Sequence, residues 1–196
     1  MKIGIFGGCF NPPHKMHYNI ANDLIEKGYL DKVIFVPTGD NYAKKDLARH
    51  EDRVNMLNIM VDKVDMLVSD ICKNGNYVYT YEVLDYYKNI YPEATIYFIC
   101  GTDNLEWFKE WKNYEYILAN YKLLVVARNN DNILGIMKKY KGYEGSIKIA
   151  NINPRALSST IVREYIASGE ISKLKYAVSE NVVNYITKKG LYKKQD

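Results

Sequence analysis

Two histidines near the start of this 196-residue chain stand where they could act on phosphate. His14 and His17 follow a glycine turn, Gly7-Gly8, which itself follows a short apolar run. A strand, a glycine turn and a helix start, in that order, aim backbone N–H groups and the positive end of a helix dipole at an anion. Imidazole N–H groups placed there could stabilise charge that develops on phosphoryl oxygens. The pattern therefore predicts a site that binds phosphate groups.

Two other interpretations of the histidine pair are open. The rings could be satisfied by neighbouring groups at a helix start, with no ligand at all. They could also bind zinc together with Cys9, but His-x-x-His lacks the spacing and the glutamate of the helical zinc-protease motif. The sequence holds no further cluster of cysteine and histidine. We therefore expect no metal that is held by protein ligands alone.

The stretch Gly8–His17 resembles the G-x-F-[ND]-P-x-H-x-G-H signature of the nucleotidyltransferase superfamily. Met16 departs from that signature, because the superfamily usually has glycine at its position. A second block, Ser158–Arg163, reads Ser-Ser-Thr-Ile-Val-Arg and resembles the S-S-T-x-x-R block of the same superfamily. The two blocks occur in the order that the superfamily shows.

Three further blocks resemble the nicotinate mononucleotide adenylyltransferase branch of this superfamily. They are Tyr79-Thr80, Gly101-Thr102-Asp103 followed by Trp111, and Val126-Ala127-Arg128. The resemblance covers nearly the whole chain. It implies a Rossmann-like α/β domain with a C-terminal helical part. It also implies a reaction that joins nicotinate mononucleotide to ATP and gives deamido-NAD and pyrophosphate.

The resemblance assigns roles to individual residues of this chain. It implies three catalytic residues: His14, His17 and Arg163. It implies ATP contacts from both motifs and from the strand end near residue 101: Gly7, Gly8, Cys9, Phe10, Asn11, His14, His17, Gly101, Asp103, Ser158, Ser159, Thr160 and Arg163. It implies contacts with the mononucleotide at Thr80, Trp111 and Lys112, and at Lys44 or Lys45. The family often has tyrosine at the position of Lys112.

Several of these residues also have a purely structural interpretation. The Ser158-Ser159-Thr160 run could cap a helix and do nothing else. Trp111 could be an ordinary core aromatic residue, because large aromatic side chains are usually well buried. Asn11 and Asp103 could be turn or cap residues. The presence of Arg163 shortly after the serines favours an anion site over a cap alone, because a guanidinium can bind two phosphate oxygens.

The charge on the reactants indicates what the protein must contribute. A phosphate monoester is already an anion at neutral pH, so its attack on ATP needs no general base. The site must instead align two anions and stabilise the charge that builds on the α-phosphoryl oxygens. We expect Mg²⁺ to be the cofactor and to arrive on the triphosphate, as in other phosphoryl transfers.

Alternating strand and helix patterns indicate the fold class. Apolar and β-branched runs predict strands, and apolar residues at helical spacing predict helices. The predicted strands are 2–6, 32–36, 65–70, 95–100, 122–127 and 146–150. The predicted helices are 18–27, 51–63, 80–91, 114–120, 133–140, 160–167 and 180–188, and a short helix follows residue 101. This alternation predicts a doubly wound parallel α/β sheet in residues 1–153, with a small helical part in residues 154–196 of one domain.

Composition limits the partners and the location. The net charge is +4, with no basic tract, so we expect no nucleic acid partner. The three cysteines include no C-x-x-C pair, which is typical of a reducing compartment. No apolar run approaches the ~18 residues that span a bilayer, so we expect no membrane contact and a cytoplasmic protein. Whether the chain forms a homo-oligomer, whether it prefers nicotinate or nicotinamide mononucleotide, and whether it is instead a nucleotide-binding sensor without activity all stay open.

Overall fold

The computed structural model describes residues 1–42, 46–77, 79–127, 131–152, 154–155 and 157–193. Six of its strands form one sheet: β1 (Lys2–Gly8), β2 (Lys32–Pro37), β3 (Met66–Val68), β4 (Thr95–Gly101), β5 (Lys122–Val126) and β6 (Ile147–Ala150). The α-helices of the described residues are α1 (Lys15–Glu26), α2 (His50–Met60), α3 (Thr80–Ile90), α4 (Thr102–Trp107), α5 (Tyr114–Asn120), α6 (Ile133–Met137), α7 (Ser159–Ala167), α8 (Ile171–Ala177) and α9 (Glu180–Lys189). Within these ranges, no helix is long and apolar enough to cross a membrane.

All neighbouring strands of the sheet are parallel, in the order β3-β2-β1-β4-β5-β6. From β1 the chain adds β2 and then β3 on one side of the sheet, and it then returns to add β4, β5 and β6 on the other side. The order therefore reverses between β1 and β4. Ligands of such sheets bind beyond the carboxyl ends of the strands at this reversal. The glycine turn at the end of β1 lies at that point, and the predicted α/β fold is confirmed.

Helices cover both faces of the sheet, as the apolar strands require. Along β4, Ile96, Phe98 and Cys100 point to one face and join a core that includes α3, α4 and α5. Ile99 points to the other face and joins a core with residues of α1 and α2. This alternation follows from the two-residue period of a strand. The sheet is thus held rigidly from both sides at the strand ends that carry the site.

The C-terminal helices form a third apolar cluster against α2. Val162 of α7, Leu174 of α8 and Val182 of α9 are buried together with Met56 of α2. Helix α8 is absent from the predicted elements, because its seven residues include serine and two lysines and bury only two side chains. This cluster attaches α7, which carries the second motif, to the rest of the molecule.

The start of α1 differs from its predicted start by three residues, whereas α3 starts where it was predicted. Helix α1 begins at Lys15, three positions before the predicted start at residue 18, which places His17 in its first turn. Helix α3 begins at Thr80, and Tyr79 is its N-cap residue. The carboxylate of Glu82 accepts a hydrogen bond from the backbone N–H of Tyr79 at 3.0 Å and satisfies that helix end.

Candidate active site

The glycine turn lets the chain pass closely over the sheet. A side chain at Gly7 would bring a Cβ to 3.0 Å from the Phe98 ring, which is tighter than nearly all real contacts. After the turn, Phe10 has a left-handed backbone with φ of 47°, which is uncommon for an aromatic residue. Its ring is 2% exposed and packs edge-on against His17, with centroids 4.9 Å apart. The turn therefore positions the histidine pair through Phe10.

The two predicted histidines lie side by side. The backbone N–H of His14 donates to Nδ1 of His17 at 3.1 Å, and the rings are stacked with centroids 3.6 Å apart. His14 is the N-cap residue of α1, so both rings lie at the start of that helix. Because Nδ1 of His17 accepts a hydrogen bond, the neutral ring carries its proton on Nε2. Nε2–H is thus the group of His17 that can donate to a ligand.

The surroundings of His17 keep its ring neutral. Burial lowers the pKa of His17 well below its ordinary value, and the charge of His14 lowers it further. Phe6 and Phe10 both lie edge-on to the His17 ring, with centroids 6.0 and 4.9 Å away. An apolar environment disfavours imidazolium. At neutral pH His17 is therefore an uncharged hydrogen-bond donor.

The second motif is hydrogen-bonded directly to the first. The Ser159 hydroxyl donates to the backbone carbonyl of Pro12 at 2.9 Å. Nη1 of Arg163 donates to the backbone carbonyl of Asn11 at 2.8 Å. These two bonds connect the start of α7 to the loop that carries the histidines. The structure thus brings together two blocks that are far apart in the sequence.

The serines and the threonine of the second motif have structural partners as well. The Ser158 hydroxyl caps α7 by accepting a hydrogen bond from the N–H of Ile161 at 3.3 Å. The Thr160 hydroxyl accepts one from Nη2 of Arg163, also at 3.3 Å. The capping interpretation and the anion-site interpretation are therefore compatible, because a capped helix start still presents backbone N–H groups and a positive dipole end.

A cavity of about 270 Å³ lies beside the histidine pair, at the reversal of the strand order. Its apolar walls come from β1, β4 and β5, through Phe6, Ile99 and Val126. The predicted ATP-binding residues that line it are His14, His17, Gly101, Asp103, Ser158 and Ser159. Met16 lines it too and belongs to none of the three apolar clusters among the described residues. This cavity is the candidate nucleotide site.

Thr102 is a candidate residue of this cavity that the sequence prediction missed. Its side chain is buried and lines the cavity between Gly101 and Asp103. Within the described part of the chain its hydroxyl has no hydrogen-bond partner. A buried hydroxyl without a partner is unfavourable, so a ligand group that bonds to it would gain affinity. Its position inside the Gly-Thr-Asp block was the available signal.

Arg163 and Thr160 line a neighbouring cavity of about 570 Å³ instead. Residues 46–48 and 191–193 form its other walls. The catalytic arginine predicted from the motif therefore faces a space that adjoins the nucleotide cavity and is partly enclosed by the C-terminal segment.

A third cavity, of about 310 Å³, lies on the opposite side of β1. The predicted residues that line it are Gly7, Gly8, Cys9, Thr80 and Trp111. The Trp111 ring packs against Phe98 and Phe108, with centroids 5.6 and 5.1 Å away. Tyr42 and Tyr79, which are 49% and 45% exposed, also line this cavity. Trp111 thus belongs to the edge of the core and to the cavity wall at once.

Five predicted contacts need comment. Phe10 lies in the core, where its ring packs against His17. This buried position does not support the predicted contact with ATP. The Asn11 side chain is 1% exposed and bonds to protein groups, which agrees with the structural interpretation of this residue, and its predicted contact with ATP stays a prediction. Lys112 is exposed and lies outside the lining of the third cavity. Lys44 and Lys45 lie outside the described residues.

A fully buried arginine supports the glycine turn, and the sequence pattern gave no sign of it. Nη1 of Arg53 donates to the backbone carbonyl of Cys9 at 3.0 Å, and Nε donates to the carbonyl of Ala48 at 2.8 Å. Nη2 forms an ion pair with Asp40 at 3.2 Å. Burial lowers the pKa of Arg53, and the bond to Asp40 opposes this shift. Arg53 therefore connects the turn to Thr38, Asp40 and Ala48.

The donor set is suited to anions. In the described ranges, no three His, Cys, Asp or Glu side chains come together in a way that could hold a metal ion. The cavity beside the histidine pair is lined by imidazole, hydroxyl and helix-start groups together with the carboxylates of Asp103 and Asp131, and Arg163 lies in the neighbouring cavity. The donors among these groups can bind and orient phosphate groups and can stabilise charge on them.

Comparison with known proteins agrees with this geometry. Residues 5–165 match the Cytidylyltransferase-like family. A relative from Caldicellulosiruptor bescii, named probable nicotinate-nucleotide adenylyltransferase, is 34% identical over 201 residues, covering 99% of this chain and 100% of the relative. A relative of the same name from Clostridium acetobutylicum is 36% identical over 200 residues, covering 97% of this chain and 98% of the relative.

A solved structure supports the fold independently. It is described as Plasmodium falciparum nicotinic acid mononucleotide adenylyltransferase complexed with NaAD, and it matches this chain with a TM-score of 0.83. The identity is 21%, and the match covers 97% of both chains. Since the two motifs meet at the strand reversal and the relatives match along almost their full length, this chain belongs to the nicotinate-nucleotide adenylyltransferase family.

Proposed function

We propose that this protein transfers the adenylyl group of ATP to nicotinate mononucleotide, giving deamido-NAD and pyrophosphate for NAD biosynthesis. The observation that carries the proposal is the hydrogen-bonded union of the two motifs, through Ser159 with Pro12 and Arg163 with Asn11. This union holds the Arg163 guanidinium against the loop that leads into the histidine pair. The cavities on the two sides of β1 provide one space for each nucleotide.

In the proposed reaction a phosphate oxygen of the mononucleotide attacks the α-phosphorus of ATP. The new P–O bond forms as the bond to the bridging oxygen of pyrophosphate breaks, and the leaving group takes that electron pair. Nε2–H of His17 donates to an α-phosphoryl oxygen, and this bond strengthens as negative charge builds in the transition state. Arg163 and the N-terminus of α7 bind the β- and γ-phosphates.

The third cavity receives the pyridine ring. Trp111 offers an aromatic face whose position is fixed by Phe98 and Phe108. Thr80 begins α3 and lines the cavity, so its hydroxyl and the positive end of the helix dipole face the carboxylate of nicotinate. The resemblance also implies a contact from Lys112, but this side chain is exposed and lies outside the cavity lining, which favours Thr80 for the carboxylate. The lysine at 44 or 45 that would contact the phosphate stays a prediction.

Mg²⁺ is proposed to enter with ATP. His17, the start of α7 and, in the neighbouring cavity, Arg163 offer hydrogen-bond donors, which suit a triphosphate that carries its own metal. When bound to the triphosphate, Mg²⁺ neutralises charge on the β- and γ-phosphates. The part of this chain is to hold the phosphates with Arg163, α7 and the histidine pair.

The test is turnover with both mononucleotides. Purified protein is incubated with ATP, Mg²⁺ and either nicotinate or nicotinamide mononucleotide, and the dinucleotide and pyrophosphate are quantified. We expect kcat/KM to favour nicotinate by roughly tenfold to several hundredfold, because the amide would leave donors at Thr80 unpaired. Equal values would contradict the substrate assignment. ATP binding without pyrophosphate release would refute the transferase and indicate a nucleotide sensor.

The location of the protein in the cell and its oligomeric state can also be tested. We propose a cytoplasmic location, because three cysteines without a C-x-x-C pair suit a reducing compartment. Light scattering of the purified protein would decide whether it forms a homo-oligomer.

A further inference from the structure

Asn11 is the point at which four segments of the chain meet. Its side-chain amide donates to the carbonyl of Asp46 at 2.8 Å. Its Oδ1 accepts from the N–H of Ala48 at 3.0 Å and from the Tyr192 hydroxyl at 2.8 Å. Its backbone carbonyl accepts from Arg163 at 2.8 Å. The orientation of the catalytic guanidinium therefore depends on how firmly Asn11 is held.

The C-terminal segment reaches Asn11 through two left-handed residues. Gly190, with φ of 65°, caps the C-terminal end of α9, and the N–H of Leu191 donates to the carbonyl of Ile186 at 3.1 Å. Tyr192 is also left-handed, with φ of 62°, which is unfavourable for a bulky residue. Leu191 and Tyr192 pack against the third apolar cluster, which holds this conformation. Strained residues that are held in place in this way often serve a functional site.

We propose that Tyr192 is a positioning residue for the adenylyl transfer. Its hydroxyl holds the Asn11 side chain, and Asn11 in turn presents the carbonyl that orients Arg163. The same loop leads directly to His14 and His17. The C-terminal segment thereby completes the active site, although it lies at the other end of the chain from the glycine turn. This inference rests on the proposed function.

Two observations support the role of the hydroxyl. Burial raises the pKa of Tyr192 far above its ordinary value, so the hydroxyl stays protonated and keeps donating to Asn11 throughout the neutral range. Residues 191–193 also form a wall of the cavity that Thr160 and Arg163 line. The segment that carries Tyr192 therefore forms a wall of the cavity that Arg163 lines and also bonds to Asn11, which holds the guanidinium.

The experiment compares Tyr192→Phe with Tyr185→Phe. The Tyr185 hydroxyl lies on α9 and bonds to Asp52 and Asn55, away from the catalytic loop, so its loss is a matched control. We expect Tyr192→Phe to lower kcat by about tenfold, because small misplacements of catalytic groups are costly. The KM for nicotinate mononucleotide and the melting temperature should change no more than in the control. A purely structural role would lower the melting temperature and spare kcat.

A double variant tests whether Tyr192 acts through Arg163. If it does, Tyr192→Phe combined with Arg163→Lys loses less activity than the product of the two single losses, because the residues share one path. Multiplicative losses would contradict the proposal, and so would a kcat of Tyr192→Phe equal to that of the control.

Hydrogen exchange tests the same link without turnover. Tyr192→Phe should speed exchange in the peptide spanning residues 8–17, and Tyr185→Phe should not. Unchanged exchange in Tyr192→Phe would overturn the positioning role. An inactive wild-type protein would refute the proposed function alone, since the exchange comparison would still decide whether Tyr192 holds the loop.

Discussion

The two cavities on either side of β1 hold their functional groups in different ways. Beside the histidine pair, the polar groups are fixed by hydrogen bonds to the backbone, as in the contacts of His17, Ser159 and Arg163. In the cavity lined by Trp111, the ring is held by packing against Phe98 and Phe108, and other aromatic residues at its wall are half exposed.

This difference matches the demands of the two half-sites. Charge on an α-phosphoryl group is stabilised only by donors that already point at it, so that side needs fixed orientation. A pyridine ring needs a flat apolar surface and one polar contact, which tolerates small movements. We therefore expect changes on the histidine side to lower kcat, and changes on the tryptophan side to raise KM.

The largest expected effect is on the histidine side. His17→Ala removes a neutral N–H donor from the developing charge, and we expect kcat to fall by about a hundredfold to a thousandfold. The KM values should change little. His50→Gln is the control, because the His50 ring is buried and bonds to the carbonyl of Thr38, away from the cavity. A kcat of His17→Ala close to that of the control would contradict the assignment.

The next effect sharpens the contrast from the tryptophan side. Trp111→Ala removes the surface on which the pyridine ring stacks, and we expect KM for the mononucleotide to rise by roughly tenfold to a hundredfold, on the scale of base–aromatic stacking. The KM values for nicotinate and nicotinamide mononucleotides should rise by a similar factor. Steady-state kinetics with both substrates measures this.

The second tryptophan provides the control for that experiment. Trp107 is 61% exposed, so Trp107→Ala should leave both KM values unchanged. Melting temperatures of both variants separate lost stacking from lost packing, since Trp111 also contacts the core. A change in kcat alone for Trp111→Ala would show that the two sides do not differ as proposed.

The elements that the sequence predicted are those with a strong local signal. The six strands are apolar runs that end at or next to turn-forming residues such as Pro37 and Gly101, so their number and order could be predicted. The alternation with helices then implied the parallel sheet. Helix α8 has no comparable pattern, because it is short and only Leu174 and Ala177 are buried. Its place is determined by packing against α7 and α9.

The site divides in the same way. His14, His17, Ser159 and Arg163 could be identified because they belong to motifs. Residues that support the site, such as Arg53 and Tyr192, are single positions whose partners lie elsewhere in the chain. No spacing or periodicity indicates such long-range hydrogen bonds. For the same reason the sequence could not show that the side chain of Asn11 bonds to residues 46 and 48.

A smaller effect concerns Met16 in the nucleotide cavity. Its side chain lines the cavity, so it narrows the space for ATP. We expect Met16→Ala and Met16→Gly both to lower KM for ATP a few-fold, a modest change because the flexible methionine can partly move aside. Glycine should also destabilise α1, by about 1 kcal/mol relative to alanine. Lower stability without a lower KM would refute the crowding.

The smallest effect is the pH dependence of stability. Burial, and then the charge of His14, lowers the pKa of His17 well below its ordinary value of 6.5. As pH falls below 6.5, the unfolded chain binds a proton at this residue before the folded protein does. The free energy of unfolding therefore falls with decreasing pH until the folded pKa is reached. Above 6.5 both states hold a neutral ring, so His17 adds no slope.

We expect His17 to contribute at most about 1.4 kcal/mol per pH unit in that window, and this slope should be missing in His17→Ala. Urea unfolding of both proteins from about pH 7.5 to about pH 5.5 measures the difference. Proton NMR of the wild-type ring gives the pKa directly. A midpoint near the ordinary value, or equal slopes in the two proteins, would show that the folded ring becomes charged. Either result would contradict the interpretation of His17 as a neutral donor, because the burial that produces the slope is also what keeps the ring uncharged.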